Sequence, residues 1–112
     1  RRMVAKQYAS ELAGDELTLP QVAPENTSVW AQYTLLSADR DALRERLQAE
    51  GIPSVSYYAV PLHLQPVFAD LGHHAGDFPV AEQVASESLS LPMSVGLTEP
   101  VIARIAGVIQ SA

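Results

Sequence analysis

The sequence contains no cysteine and only one lysine, Lys6. The lack of cysteine excludes a disulfide framework, a thiolate zinc site and a thiol nucleophile. A Schiff-base mechanism would have to run through Lys6, and such a lysine needs a desolvated pocket or a cationic neighbour. Lys6 instead lies opposite a Val4/Tyr8/Leu12 stripe on what reads as an amphipathic helix, so it is expected in solvent. Basic residues are scarce as a class: 7 Lys+Arg stand against 13 Asp+Glu, a net charge of −6. That balance lacks the basic face a nucleic-acid binder requires. No run approaches the roughly 20 apolar residues of a membrane span, and no apolar leader opens the chain. Neither nucleic acid nor a membrane is therefore an expected partner. The glycines are scattered, with no phosphate-cradling loop, and no G-x-S-x-G elbow presents a serine.

What is present fits one domain. The 112 residues are 47% apolar, enough for a single modest core. Val4, Tyr8 and Leu12 predict a helix over residues 1–14, stopped by Gly14. No capping residue precedes Arg1, so this helix is expected to continue a longer chain. Residues 15–27, from Asp15 onward, have loop composition with a short strand at most around 17–19. Residues 29–36 predict a mostly buried strand. Asp39 is placed to cap a helix over 40–50, with Leu43 and Leu47 inward and Gly51 beyond its end. The mixed charges of this helix, including Arg40 and Arg44, read as a solvated face. A second strand is expected over 54–58, a short helix over 64–71 and a loop over 72–76. A further helix follows from Asp77 and Pro79, with Val80, Ala81, Val84 and Ala85 inward. Residues 89–91 predict a short strand closed by Pro92. Thr98 caps a last helix with Ile102, Ile105, Ala106 and Ile109 on one stripe. This order predicts an α+β fold: a short, mainly antiparallel sheet with helices packed on one face.

Chemistry-bearing side chains concentrate between Tyr57 and Gln65. Two phenols, the His63 imidazole and an amide follow a strand end there, where rigid backbone presents polar groups to a ligand. On spacing alone, an edge strand with aromatic packing and a surface histidine is the favoured reading, since polar residues commonly follow strands. His63, His73 and His74 lack helical i,i+4 spacing, and adjacent histidines on extended backbone point apart, so a loop rather than a metal site is expected.

Taken in order, several segments resemble the DegT/DnrJ/EryC1/StrS aminotransferase family. Arg1-Arg2 through Tyr8 and Leu12 is similar to its R-R-x-x-A-x-x-Y-x-x-x-L helix. Val29 to Thr34 is similar to its central strand, and Arg40 to Leu43 followed by Gly51-Ile52 to its R-D-x-L…G-I unit. Val60-Pro61-Leu62-His63-Leu64-Gln65-Pro66, Asp77-Phe78-Pro79-Val80-Ala81-Glu82 and Leu89-Ser90-Leu91-Pro92-Met93 match its P-L-H-x-Q-P, D-F-P-x-A-E and L-S-L-P-M signatures in register.

The resemblance implies that residues 1–112 form the C-terminal small domain of the aspartate aminotransferase fold (fold type I), with the large cofactor-binding domain outside this chain. It implies a cytoplasmic enzyme in which pyridoxal 5'-phosphate carries an amino group from glutamate to a UDP-linked keto-sugar. C3 of a 3-keto-hexuronic acid for O-antigen or lipopolysaccharide synthesis is the leading substrate; a 4-aminotransferase of the same family is the near alternative. A non-catalytic α+β binding module is the alternative from another class. No catalytic, cofactor-binding or metal-binding residue is expected in this chain, and the chain alone is expected to be inactive. Substrate contacts are implied at Tyr57, Tyr58 and His63, with His63 and Gln65 chiefly orienting the loop. Tyr57 stands where the family usually has histidine, and Ala59 where it has proline. The large domain and the second subunit of a homodimer are the implied protein partners.

Overall fold

The computed structural model describes residues 1–14 and 16–111. Asp15, expected to open the first loop, lies outside the described residues, as does Ala112. Helix α1 (Arg2–Leu12) buries Val4, Ala5, Tyr8 and Leu12, one turn apart along a single stripe. It is followed by strand β1 (Tyr33–Leu36), helix α2 (Arg40–Ala49), helix α3 (Pro79–Glu87), strand β2 (Ser88–Leu91) and helix α4 (Glu99–Gln110).

The two strands are antiparallel, with Tyr33 opposite Leu91 and Leu35 opposite Leu89. Alternation along each strand then divides the sheet into two unlike faces. Tyr33, Leu35, Leu89 and Leu91 form one face and join α1, α2 and α4 in the core, with Leu43, Leu47, Ile102, Ile105 and Ile109. Thr34, Leu36, Ser88 and Ser90 form the other, and Thr34 Oγ1 lies 2.7 Å from Ser90 Oγ across the strands. The predicted α+β architecture, with three helices stacked on one sheet face, is what the structure shows.

Helix α2 ends as Gly51 predicts. That residue adopts φ +73°, its N–H bonds to Gln48 O at 3.0 Å, and the Ile52 N–H bonds to Leu47 O at 2.9 Å. Together these bonds satisfy carbonyls that the last turn would leave open, and buried Ile52 sits beside buried Leu47.

Several boundaries differ from expectation. The strand expected from Val29 begins only at Tyr33. Val29 is exposed, and Trp30 takes φ +52°, outside extended geometry. The Trp30 ring stacks on Tyr33 instead, 5.5 Å between centroids. A β-favouring run forms a ladder only where a partner exists, and here β2 runs out at Pro92, which has no N–H. The strands expected at 17–19 and 54–58 shrink to single bridges, Thr18 to Leu36 on one edge and Val55 to Ser90 on the other. The helix expected over 64–71 becomes two 3-10 stretches, Leu62–Leu64 and Pro66–Leu71, because Pro66 cannot donate to a continuous helical ladder. Asp39 and Thr98 occupy the N-cap positions of α2 and α4, but neither side chain makes a capping hydrogen bond.

Helix α3 departs most in its packing. Of its expected inward residues only Ala85 is buried; Ala81 and Val84 are exposed, and Val80 is 73% exposed. The helix meets the sheet at its C-terminal end and overhangs it elsewhere, so its apolar side borders an open space rather than the core. No helix among the described residues is long and apolar enough to cross a membrane.

Candidate functional site

That open space is a cavity of about 450 Å³ on the sheet face away from the core. Thr34, Ser88 and Ser90 supply small hydroxyl side chains to it, because alternation turns them away from the buried leucines. Ala81, Val84 and Ala85 of α3 line one side; Tyr57, Tyr58 and Val60 to Leu62 line another, with Gln32 and Gln65 completing it. None of the lining residues is charged. Apolar walls with a few convergent hydroxyls and amides are what an orienting site for a small polar ligand requires.

The structure brings two of the three implied substrate residues together. Tyr57 and Tyr58 both line this cavity and are 54% and 78% exposed, leaving their phenols free to exchange hydrogen bonds. His63 does not share it. Its side chain is 8% exposed, with Nε2 3.3 Å from Glu82 Oε2 and the ring edge-on to Phe78 at 4.8 Å. An ionised carboxylate only accepts, so Nε2 carries the proton in this bond. His63 faces a second cavity of about 350 Å³, lined also by Phe68, Leu71, His73 and Phe78. Leu62 and Ala81 stand between the two. Gln65 Nε2 reaches Val60 O at 3.4 Å, holding the loop across its own turn.

Glu82 gathers the loop before α3. Its carboxylate accepts the Gly76 N–H at 2.9 Å, the Phe78 N–H at 3.2 Å and His63 Nε2. The Gly76 N–H foremost, then the Phe78 N–H and His63, hold this carboxyl below its ordinary value despite some desolvation. Asp77 is lowered likewise, first by the His74 N–H at 2.8 Å and then by the adjacent His74 and His73. A depressed folded-state value means that Glu82's contribution to stability is complete above the ordinary carboxylate range and is lost as pH falls. The thermal-midpoint gap between wild type and Glu82→Gln should therefore shrink on acidification from about pH 6 to pH 3. A gap constant across that range would show that these bonds do not favour the ionised form.

Arg40 is the residue that sequence reasoning misplaced. Far from lying on a solvated face, its side chain is 11% exposed. Nε donates to Asp41 Oδ1 at 2.7 Å, and Nη1 donates to Ser56 Oγ, Ala85 O and Ser88 O at 2.7, 3.1 and 3.0 Å. One signal was available. A cation in the first turn of a helix opposes the helix dipole, and such a placement calls for a compensating tertiary partner. Among the described residues, no group of three or more histidines and carboxylates is placed to hold a metal ion.

The model of the DegT/DnrJ/EryC1/StrS aminotransferase family matches residues 1–110. The chain belongs to this family. It is 45% identical over 111 residues to UDP-N-acetyl-3-dehydro-alpha-D-glucosamine 3-aminotransferase of Acidithiobacillus ferrooxidans, covering 98% of this chain and 29% of that protein. It is 34% identical to UDP-2-acetamido-2-deoxy-3-oxo-D-glucuronate aminotransferase of Pseudomonas aeruginosa, covering 83% of this chain and 25% of that one. Its fold superimposes on S. venezuelae DesV, solved in complex with a ketimine intermediate, with a TM-score of 0.92 and 36% identity over 97% of this chain and 30% of that one. The chain thus spans under a third of the length of the DegT-family proteins it matches.

DegT-family aminotransferases depend on pyridoxal phosphate. The residues of this chain do not fit that group by themselves. Lys6, the only lysine, is exposed on α1, among Met3, Gln7 and Ser10. Helix α1 packs on the core face of the sheet, whereas Tyr57 and Tyr58 border the opposite face. Among the described residues, no lysine amine therefore reaches the tyrosine-lined cavity.

Proposed function

We propose that this chain is the C-terminal small domain of a cytoplasmic, homodimeric sugar-nucleotide aminotransferase, and that its tyrosine-lined cavity forms part of the wall that receives the sugar. In this reading a large domain supplies the lysine and the phosphate contacts of pyridoxal phosphate. Glutamate is the amino donor, and a UDP-linked 3-keto-sugar for lipopolysaccharide or O-antigen synthesis is the acceptor. The cofactor supplies the electron sink for the amino transfer. Tyr57 and Tyr58 orient the sugar by hydrogen bonds from the sheet side, and the apolar side of α3 excludes water. His63, tied to Glu82, holds the loop that carries them.

The observation that carries this reading is the uncharged cavity itself, in a chain so similar to a UDP-keto-sugar 3-aminotransferase. It also bears on which sugar. A hexuronic acid brings a carboxylate, and a buried carboxylate calls for a cationic partner. No arginine, lysine or histidine lines the cavity, and Tyr57 stands where a family histidine would offer one. A neutral 3-keto-N-acetylhexosamine therefore suits these walls better than the 3-keto-hexuronic acid favoured by the sequence resemblance.

The test is to assay the complete enzyme, with glutamate and pyridoxal phosphate, on both UDP-linked 3-keto-sugars and on a 4-keto-sugar nucleotide. The neutral 3-keto-sugar should be aminated with the highest kcat/KM. Exclusive amination of the 4-keto-sugar would overturn the assignment. Tyr57→Phe and Tyr58→Phe should each raise the sugar KM about five- to tenfold, the worth of one hydrogen bond. Unchanged kinetics in both variants would remove the tyrosines from the site.

A further inference from the structure

The tyrosine-lined cavity lies between two pieces of chain with little secondary structure in common. One is the nearly strandless segment that contains Tyr57 and Tyr58, joined to the sheet by the single Val55–Ser90 bridge. The other is the C-terminal end of α3, where Ala85 meets the sheet and the chain passes into β2 at Ser88. The tyrosine segment is too exposed to be fixed by apolar packing, whereas Ala85 and Ser88 are buried, and a site of defined width needs its walls held within about half an ångström.

Arg40 touches both. Its Nη1 donates to Ser56 Oγ, one residue before Tyr57, and to the carbonyls of Ala85 and Ser88. The Ala85 carbonyl lies in the last turn of α3, where intrahelical partners run out, so the guanidinium also completes that helix end. Asp41 fixes the other side of the fork by accepting Nε at 2.7 Å. The charged head sits at the N-terminus of α2, whose own packing through Leu43 and Leu47 anchors it to the core.

We propose that Arg40 is a positioning residue for the acceptor sugar: from a rigid helix it sets the separation between the Tyr57–Tyr58 segment and the end of α3. The proposal rests on reading this cavity as the sugar subsite. Lysine in its place keeps the charge but loses the Nε donor to Asp41 and ends short of the Nη1 position from which Ser56, Ala85 and Ser88 are reached. Ser56→Ala is the milder probe, since it removes only the bond to the tyrosine segment and leaves Arg40 and the core in place.

The experiment uses the complete enzyme and follows its two half-reactions separately, glutamate with the loaded enzyme and the keto-sugar nucleotide with the aminated form. Calorimetric binding of the UDP-amino-sugar product gives a readout independent of turnover. Arg40→Lys should weaken product binding and raise the sugar KM about tenfold, and Ser56→Ala severalfold, with the glutamate half-reaction unchanged in both. Arg40→Lys combined with Ser56→Ala should be no worse than Arg40→Lys alone, because both act through one contact. A role confined to stability would slow both half-reactions together in proportion to folded enzyme, and that result would overturn the proposal. If Tyr57→Phe and Tyr58→Phe weaken sugar binding but Arg40→Lys and Ser56→Ala do not, Arg40 loses its role while the subsite stands. If none of the four changes sugar binding, the subsite reading falls with it.

Discussion

Leu89→Ala should destabilise the domain by about 2–5 kcal/mol, read as a fall in the urea midpoint at constant slope. Leu89 is fully buried and pairs with equally buried Leu35 across the two-stranded sheet. Both side chains meet the layer formed by α1, α2 and α4. Truncation loses the transfer free energy of the removed carbons and leaves a hole that a sheet of two short strands cannot collapse to fill. A domain of this size has stability on the order of 5–15 kcal/mol, so the loss is a large share of it. Val84→Ala, on the exposed side of α3, removes apolar carbons as well and should stay within about 0.5 kcal/mol. Equal effects at the two positions would contradict the division of the sheet into a packed face and an open one.

The second large effect is expected at Tyr8. Its ring is buried 5.0 Å from that of Tyr33, and its hydroxyl donates to Pro92 O at 2.8 Å. Tyr8→Ala should cost about 3–5 kcal/mol, as for other buried aromatic truncations. Tyr8→Phe isolates the hydroxyl and should cost about 1 kcal/mol. Burial, and secondarily Tyr33, push the Tyr8 phenol from 10.0 up to about 12. A raised folded-state value favours the neutral phenol. That contribution is whole below pH 10 and is lost as pH rises through about 12, so Tyr8→Phe should lack this alkaline loss. Tyr33 differs from Tyr8 in the cost of losing its hydroxyl. Its hydroxyl is buried without a partner among the described residues, so Tyr33→Phe should be neutral or stabilising. Parallel unfolding curves for Tyr8→Phe and Tyr33→Phe would show that the Pro92 bond contributes nothing.

The helices were legible because their signals are periodic and local. Val4/Tyr8/Leu12, Leu43/Leu47 and Ile102/Ile105/Ala106/Ile109 each read as a stripe and each is buried as a stripe. Gly51 could be read as a terminator because few residues other than glycine adopt its positive φ at low cost. The strands were legible only in part. Residues 29–32 carry strand-like side chains, but whether they pair depends on the length of β2, which lies more than fifty residues away in sequence. The cavity was half legible: Tyr57 and Tyr58 are in it, and His63 is across Leu62 from it. Consecutive residues after a strand suggest one cluster, but the 3-10 turn over Leu62–Leu64 rotates His63 to the Glu82 side.

The sequence by itself determined the family, the helical stripes and which side chains are available for chemistry, because each of these is written in residue identity and short-range spacing. It also determined that Lys6 is the single lysine among these residues. The tertiary structure alone decided which sheet face is packed and which is open, because register between β1 and β2 sets what faces the helices. It alone decided that the Arg40 side chain is largely withdrawn from solvent, because its acceptors come from residues 16, 45 and 48 positions further along the chain. Local spacing carries no information about partners that distant; only folding brings them within hydrogen-bond reach.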